Sequence, residues 1–243
     1  MQPEAYIEMA EVQDAHWWFK GRREILRSVI GRLPLPESPR ILEIGAGTGG
    51  NLAMLSQCGS VKALEMDDYA RSIARERTAG QIDIRQGRLP DEIPFKEEFD
   101  LVCLFDVLEH VERDIDSLKA IRRMVSTDGC LLLTVPAYSW LWSIHDERLH
   151  HFRRYTAREL KRKARETGWT VRRITYFNTL LFPLALVARM TDKIIPSQEP
   201  AGTGIPSPVV NSTLYRVFSM EKALLRAFNF PFGVSLMVQL NPH

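Results

Sequence analysis

The run Ile41-Leu42-Glu43-Ile44-Gly45-Ala46-Gly47-Thr48-Gly49-Gly50 constrains this chain more than any other stretch. A short apolar strand, Arg40 to Ile44, feeds directly into closely spaced glycines, and a helix is predicted from Asn51 to Cys58. Glycine has no Cβ, so such a turn lets backbone approach a ligand closely. The helix start behind it offers backbone amides to electron-rich groups. As a bare pattern, Gly45, Gly47 and Gly50 satisfy GxGxxG, so a dinucleotide is a legitimate occupant. Glu43 argues for a different one. A carboxylate just before the loop can pair with the ammonium of an amino-acid-bearing ligand, whereas a pyrophosphate gains nothing from that charge.

The rest of the chain repeats the alternation. Strands are predicted over Val61 to Leu64, Ile82 to Gln86, Asp100 to Phe105, Cys130 to Val135, Trp169 to Thr175 and Val234 to Leu240. The fourth strand is almost continuously apolar, as expected where both sheet faces are covered. Helices are predicted over Tyr69 to Arg77 and Ser117 to Val125, with a turn at Thr127-Asp128-Gly129. Thr156-Ala157-Arg158-Glu159 is a capping-box pattern that opens a helix to about Thr167. Strands alternating with helices imply the α/β class, a doubly wound, mostly parallel seven-stranded sheet.

Residues 1–37 read as an N-terminal helical cap of two pieces, with Trp17, Trp18, Ile25, Leu26 and Ile30 at helical spacing. The core comprises 38–176 and 233–243. The interval 177–232 is too long for an ordinary connection. It holds two apolar helix candidates, Thr179 to Thr191 and Ser212 to Phe228, around a Pro/Gly-rich middle from Pro196 to Pro208. This is a helical cap or lid inserted before the last strand.

Composition narrows the partners. The 32 basic and 30 acidic side chains leave a formal net charge of +2, which excludes a dedicated nucleic-acid binder. Cys58, Cys103 and Cys130 are an odd number without metal-ligand spacing, as expected of a reduced, cytoplasmic protein. No apolar run reaches the ~18 residues needed to span a bilayer. The longest, Tyr176 to Ala188, is broken by Asn178 and Pro183. Three roles stay open for this part of the chain: plain core, a hydrophobic acceptor pocket, or peripheral contact of 177–190 with the inner membrane face.

The glycine-rich string resembles motif I of the class I S-adenosylmethionine-dependent methyltransferases, and Ala63-Leu64-Glu65-Met66-Asp67 resembles their second motif. Phe99-Asp100-Leu101-Val102 with Asp106-Val107-Leu108-Glu109-His110-Val111 is similar to their fourth-strand signature. Val125 to Leu133 is similar to the stretch before the fifth strand, with Asp128 and Cys130 in place of the usual Pro and second Gly. His16-Trp17-Trp18-Phe19, His145-Asp146-Glu147 and Arg153-Arg154-Tyr155 resemble a bacterial type 11 or type 12 subgroup.

The resemblance implies a Rossmann-like methyltransferase fold with S-adenosylmethionine as cofactor. Glu43, Gly45, Ala46, Gly47 and Gly49 would line its methionine half, Glu65 would hold the ribose and Met66 would pack on adenine. Backbone amides around Arg88 and Leu89 would stand in for the family's adenine-binding Asp. Phe105 and Asp106 would sit near the sulfonium. Methyl transfer by direct displacement is implied, to an unidentified small-molecule or lipid-like acceptor and with an oxygen as the expected target. Candidate bases are His110, His145 and His151, with Tyr155 as orienter; His110 has the alternative role of capping the following turn. No metal is expected, because His145, His150 and His151 with Asp146 and Glu147 match no standard zinc spacing. The rival readings are an NAD-dependent oxidoreductase and a cofactor-binding scaffold without catalysis.

Overall fold

The strand predicted to be apolar throughout lies at the centre of the sheet. In β4 (Phe99–Phe105), Val102 and Leu104 face one side while Leu101, Cys103 and Phe105 face the other, and all five are buried. The neighbouring strands β1 (Arg40–Ile44) and β5 (Val125–Pro136) alternate in the same way, so both sheet faces need a covering layer. The computed structural model describes residues 3–194 and 204–243; Pro196 to Thr203 of the Pro/Gly-rich middle lie outside the described residues.

Beyond these, β2 (Ser60–Glu65), β3 (Asp83–Gln86), β6 (Trp169–Phe177) and β7 (Ser235–Pro242) complete a seven-stranded sheet in the order β3-β2-β1-β4-β5-β7-β6. All pairings are parallel except those of β7, which runs antiparallel between β5 and β6. One face is covered by α5 (Asp114–Arg122) and α7 (Ala157–Glu166), through Leu118, Ile121, Leu160 and Ala164. The other is covered by α2 (Trp17–Ile30) and α9 (Pro208–Ala227), through Ile25, Leu26, Phe218 and Leu225. The N-terminal and inserted helices therefore share one apolar core with the sheet. The remaining helices are α1 (Pro3–Val12), α3 (Leu52–Ser56), α4 (Asp68–Arg77), α6 (Ile144–Arg148) and α8 (Phe182–Ile194), with short 3-10 turns at Leu108–His110 and Ser139–Leu141.

Two local expectations are corrected. The turn predicted at Thr127-Asp128-Gly129 lies inside β5, which starts at Val125 and pairs with Phe99 before a bulge shifts the register. Gly129 permits this, since a Cβ there would stand 2.9 Å from the Asp100 carbonyl oxygen. At Thr156 the side chain does cap α7 by accepting from the Glu159 amide, but Glu159 turns to Lys163 rather than back to the cap. The reciprocal capping box forms instead at Ser143 and Asp146, opening α6.

The inserted segment is tied down by one buried acid. Glu221 of α9, fully buried, accepts from the backbone amides of Asn178, Thr179 and Leu180 at 2.6 to 2.8 Å. It satisfies amides that the chain leaving β6 would otherwise bury unpaired.

Candidate functional site

The carboxyl ends of β1, β2 and β4 meet where the strand order reverses, the place where open α/β sheets bind ligands. The glycine loop is pinned there by the Gly45 and Ala46 amides, which donate to the Leu64 carbonyl at 2.8 and 3.1 Å. Gly45, Gly47 and Gly49 all have positive φ. Their surroundings differ: a Cβ on Gly45 would strike Val107 at 2.5 Å, whereas a Cβ on Gly47 would meet nothing within 4 Å. The loop is thus packed on the inside and open at Gly47. Ala46 is buried beside Leu52 and Ala74.

Two carboxylates flank that opening. Glu43 is 1% exposed; its Oε1 accepts from Asn51 at 2.8 Å and its Oε2 has no hydrogen-bonding partner among the described residues. Burial raises its pKa to about 7. Glu65, also buried, accepts from the Gly47 amide at 2.7 Å and the Asp67 amide at 2.9 Å, and burial raises its pKa against the pull of those amides. Met66 beside it is 57% exposed. Asp67 caps α4 through the Tyr69 and Ala70 amides.

Helix α1 comes over this end of the sheet. Tyr6 lies near enough to Glu65 and Asp67 that burial, followed by those two charges, raises its phenol to about 12. Gln13, buried, accepts from the Thr48 hydroxyl at 3.2 Å. Neither residue carries a motif signal, and sequence reasoning missed both.

On the β3 side the adenine expectation is narrowed. The Arg88 amide donates to the Glu92 carbonyl at 2.8 Å in a small bridge, so it is not available to a ligand. Arg88 itself is exposed and pairs with Glu92, while the Leu89 side chain is buried in the core.

Leaving β4, Phe105 is buried and Asp106 has φ 54°. The Asp106 carboxylate meets Arg22 of α2 at 2.6 Å and accepts from the Thr134 hydroxyl at 3.1 Å. The Arg22 guanidinium lies 5.0 Å from the Trp18 ring centroid and 5.6 Å from that of Phe105. Arg22 was missed, although it had a signal: it stands on the apolar stripe of α2 with Trp18, Ile25, Leu26 and Val29, where a charge needs a buried partner.

The four catalytic candidates separate. His110 and His151 come together, with ring centroids 4.6 Å apart, and Glu109 joins them. The expectation of no metal rested on the run from His145 to His151; Glu109, His110 and His151 draw together across sequence-distant turns instead. His145 stays outside that group. Burial lowers His110 to about 4 and His145 to about 3, so both are neutral near pH 7. Asp146, fully buried, holds His151 Nδ1 at 2.9 Å and Arg154 Nε at 2.7 Å. Burial would raise the Asp146 carboxyl, but those two partners hold it below the usual range.

Tyr155 is not the orienter of these histidines. Its hydroxyl donates to Asp114 at 2.9 Å and to the Leu108 carbonyl at 3.3 Å, inside a fully buried network with Lys163. Asp146 is the residue that orients His151.

Beyond β5 and β6, Tyr138 stacks on Tyr176 and Trp140 at 5.2 and 5.4 Å, and Phe182 stands edge-on to Tyr138 and Phe232. These rings form an aromatic wall on the same strand-end side as the glycine loop.

With β7 inserted antiparallel, the sheet departs from the 3-2-1-4-5-6 order of dinucleotide-binding Rossmann domains. Together with the glycine loop, the order defines a Rossmann-like methyltransferase fold. A family model described as a methyltransferase domain matches residues 18–174, and the chain belongs to that family within the class I S-adenosylmethionine-dependent methyltransferases. A curated relative from Staphylococcus carnosus, called an uncharacterized methyltransferase, is 37% identical over 97 residues, which are 39% of this chain and 45% of that protein. The chain thus spans less than half the length of that relative. Among solved structures, an S-adenosylmethionine-dependent methyltransferase from Clostridium acetobutylicum is similar with TM-score 0.60 and 9% identity, over 92% of this chain and 91% of that one. Phosphoethanolamine N-methyltransferase 2 of Haemonchus contortus, in complex with S-adenosyl-L-methionine, is similar with TM-score 0.60 and 16% identity, over 90% of this chain and 52% of that one.

Proposed function

We propose that this protein transfers a methyl group from S-adenosylmethionine to an oxygen of a small-molecule or lipid-like acceptor. The observation that carries the cofactor assignment is the open glycine loop flanked by a buried carboxylate with one unpartnered oxygen. Glu43 Oε2 is placed to accept an ammonium, and the space over Gly47 admits the chain that bears it. Glu65 keeps further lone pairs for ribose hydroxyls beside its two backbone donors, and the exposed Met66 offers a thioether surface for adenine. The Leu89 amide remains for the adenine edge.

S-adenosylmethionine brings the electrophilic methyl and the sulfur leaving group, so the protein's task is chiefly alignment, worth on the order of 7–11 kcal/mol when geometry is good. Asp106, fixed by Arg22 and Thr134, sets the electrostatics where β4 ends. His110 and His145, their basicity lowered by burial, are weak proton acceptors, which leaves His151 as the strongest of the candidate bases. As the O–C bond forms and the C–S bond breaks, the acceptor's hydroxyl proton passes to His151, which Asp146 orients through Nδ1, or to water.

The aromatic wall of Tyr138, Tyr176 and Phe182 supports an acceptor with an apolar or aromatic body. A lipid-like acceptor is further supported by α8 and the turn before it, where Leu180, Leu184 and Met190 are exposed. No helix among the described residues is long and apolar enough to cross a membrane, so contact would be peripheral. Liposome flotation of the wild type, abolished by Leu180→Asp with Leu184→Asp, is the expected outcome; wild type that stays in the soluble fraction ends that part.

Calorimetric titration with S-adenosylhomocysteine, with NAD in parallel, tests the cofactor. Micromolar binding of the first alone is expected, and binding of NAD alone overturns the reading. Transfer of labelled methyl to any of a panel of hydroxylated and lipid-like acceptors then tests catalysis. Binding without transfer to any acceptor favours the scaffold reading.

A further inference from the structure

Glu109 sits on the 3-10 turn after β4, 1% exposed, and no other described residue donates a hydrogen bond to either of its carboxylate oxygens. A buried acid without donors is costly. A protonated Glu109 bonded to an imidazole would relieve the strain without an ion, but no such bond is formed. The Glu109 side chain lies instead against two histidines. One ligand atom from each of Glu109, His110 and His151 lies within 4.8 Å of the others.

The far side of the His151 ring is already held. His151 Nδ1 meets the Asp146 carboxylate at 2.9 Å, and Asp146 is fixed in turn by Arg154. With Nδ1 donating to Asp146, the other His151 ring nitrogen is left as a lone-pair donor. Such outer partners accompany nearly all metal-binding histidines.

We propose that Glu109, His110 and His151 bind a first-row divalent cation such as Zn2+, through one carboxylate oxygen and two imidazole nitrogens. Mixed nitrogen and oxygen ligands suit such ions, whereas Mg2+ and Ca2+ prefer all-oxygen sites. Ligands at about 2.1 Å from an ion span at most about 4.2 Å, so closure needs only small side-chain rotations. Three protein ligands leave a coordination position open, as in catalytic rather than structural zinc sites. Glu109 and His110 lie on the 3-10 turn that follows β4, which places the ion beside the end of that strand. An acceptor oxygen in the open position would be held and made more acidic, so that its proton could pass to water without an imidazole base. Only this role toward the acceptor rests on the methyltransferase reading; cation binding does not.

The test is titration of untagged, chelator-treated protein with Co2+, read by its visible d–d absorption, and with Zn2+ by calorimetry. One equivalent is expected to bind, and Glu109→Gln or His151→Ala to weaken it at least tenfold. His150→Ala, an exposed neighbour outside the cluster, is expected to bind like wild type. Absence of both signals in wild type overturns the proposal, as does Glu109→Gln titrating like wild type. S-adenosylhomocysteine titration of the same samples keeps the two readings apart: metal without cofactor binding leaves the cation site standing and removes the methyltransferase role. If neither variant folds, X-ray absorption of the wild-type Zn2+ complex decides, with imidazole scattering in support and an all-oxygen shell against.

Discussion

The two halves of the strand-end surface are built from different materials. Around β1 and β2 the surface is largely backbone: three glycines at positive φ, amides aimed at Glu65, and an opening at Gly47. Around β4 and β5 it is made of charged side chains that neutralise one another: Arg22 with Asp106, Arg154 with Asp146, Lys163 with Asp114. The first half can recognise a ligand by shape and by one unsatisfied carboxylate oxygen. The second depends on every partner being present, since removing one leaves a buried charge uncompensated. Binding of the cofactor and integrity of the β4–β5 side should therefore fail separately.

The largest effect is expected from Arg22→Ala. It strips Asp106 of its ion pair and both adjacent rings of a cation, and should cost on the order of 3 kcal/mol of stability. Urea denaturation measures it; a loss below about 0.5 kcal/mol would make Arg22 an ordinary surface cation. Next, Glu65→Ala removes a charge-assisted bond worth about 1.5–3 kcal/mol, which predicts S-adenosylhomocysteine binding weaker by about ten- to hundredfold. Unchanged affinity by calorimetry would remove the ribose assignment.

A pH dependence of intermediate size follows from Glu43. Its pKa in the free protein is raised from 4.5 to about 7, so an ammonium-bearing ligand must bind the ionised form at the cost of a proton. Affinity for S-adenosylhomocysteine should rise up to about tenfold per pH unit below about 7 and level off above. Glu43→Gln should flatten the profile. For the free protein the sign is opposite: the folded state holds its proton longer than the unfolded one, so this group's contribution to stability is full below pH 4.5 and is lost as pH rises through about 7.

The smallest effect is reserved for Tyr155→Phe. Its hydroxyl serves Asp114 and the Leu108 carbonyl, away from the histidines. A loss of about 1 kcal/mol with cofactor affinity unchanged is expected. A large fall in turnover with stability intact would restore Tyr155 to the catalytic set.

How much could be read in advance divides along the same line. Gly45, Gly47, Gly49, Glu43 and Glu65 lie within one strand–turn–helix–strand unit, and the helical and strand periods around them fix which way each faces. The order of elements was legible for the same reason. The extent of β5 was not: a turn-like Thr127-Asp128-Gly129 is held in a strand because Phe99 pairs with Val125 across a bulge. Tyr155 reads as a polar side chain beside two arginines, yet the packing of α5 against α7 buries its hydroxyl on Asp114.

By itself, the sequence determined an α/β alternation, a glycine loop with an acid on either side, and so the class of ligand that the loop can hold. These follow from local rules of backbone conformation and hydrophobic period, which act over a few residues. Only the tertiary structure brought Arg22 to Asp106, turned α1 over Glu65, and joined Glu109 and His110 to a histidine on a turn beyond β5. Those contacts arise when two helical layers close on one sheet, and a buried charge then finds its partner by proximity in space, which spacing along the chain does not encode.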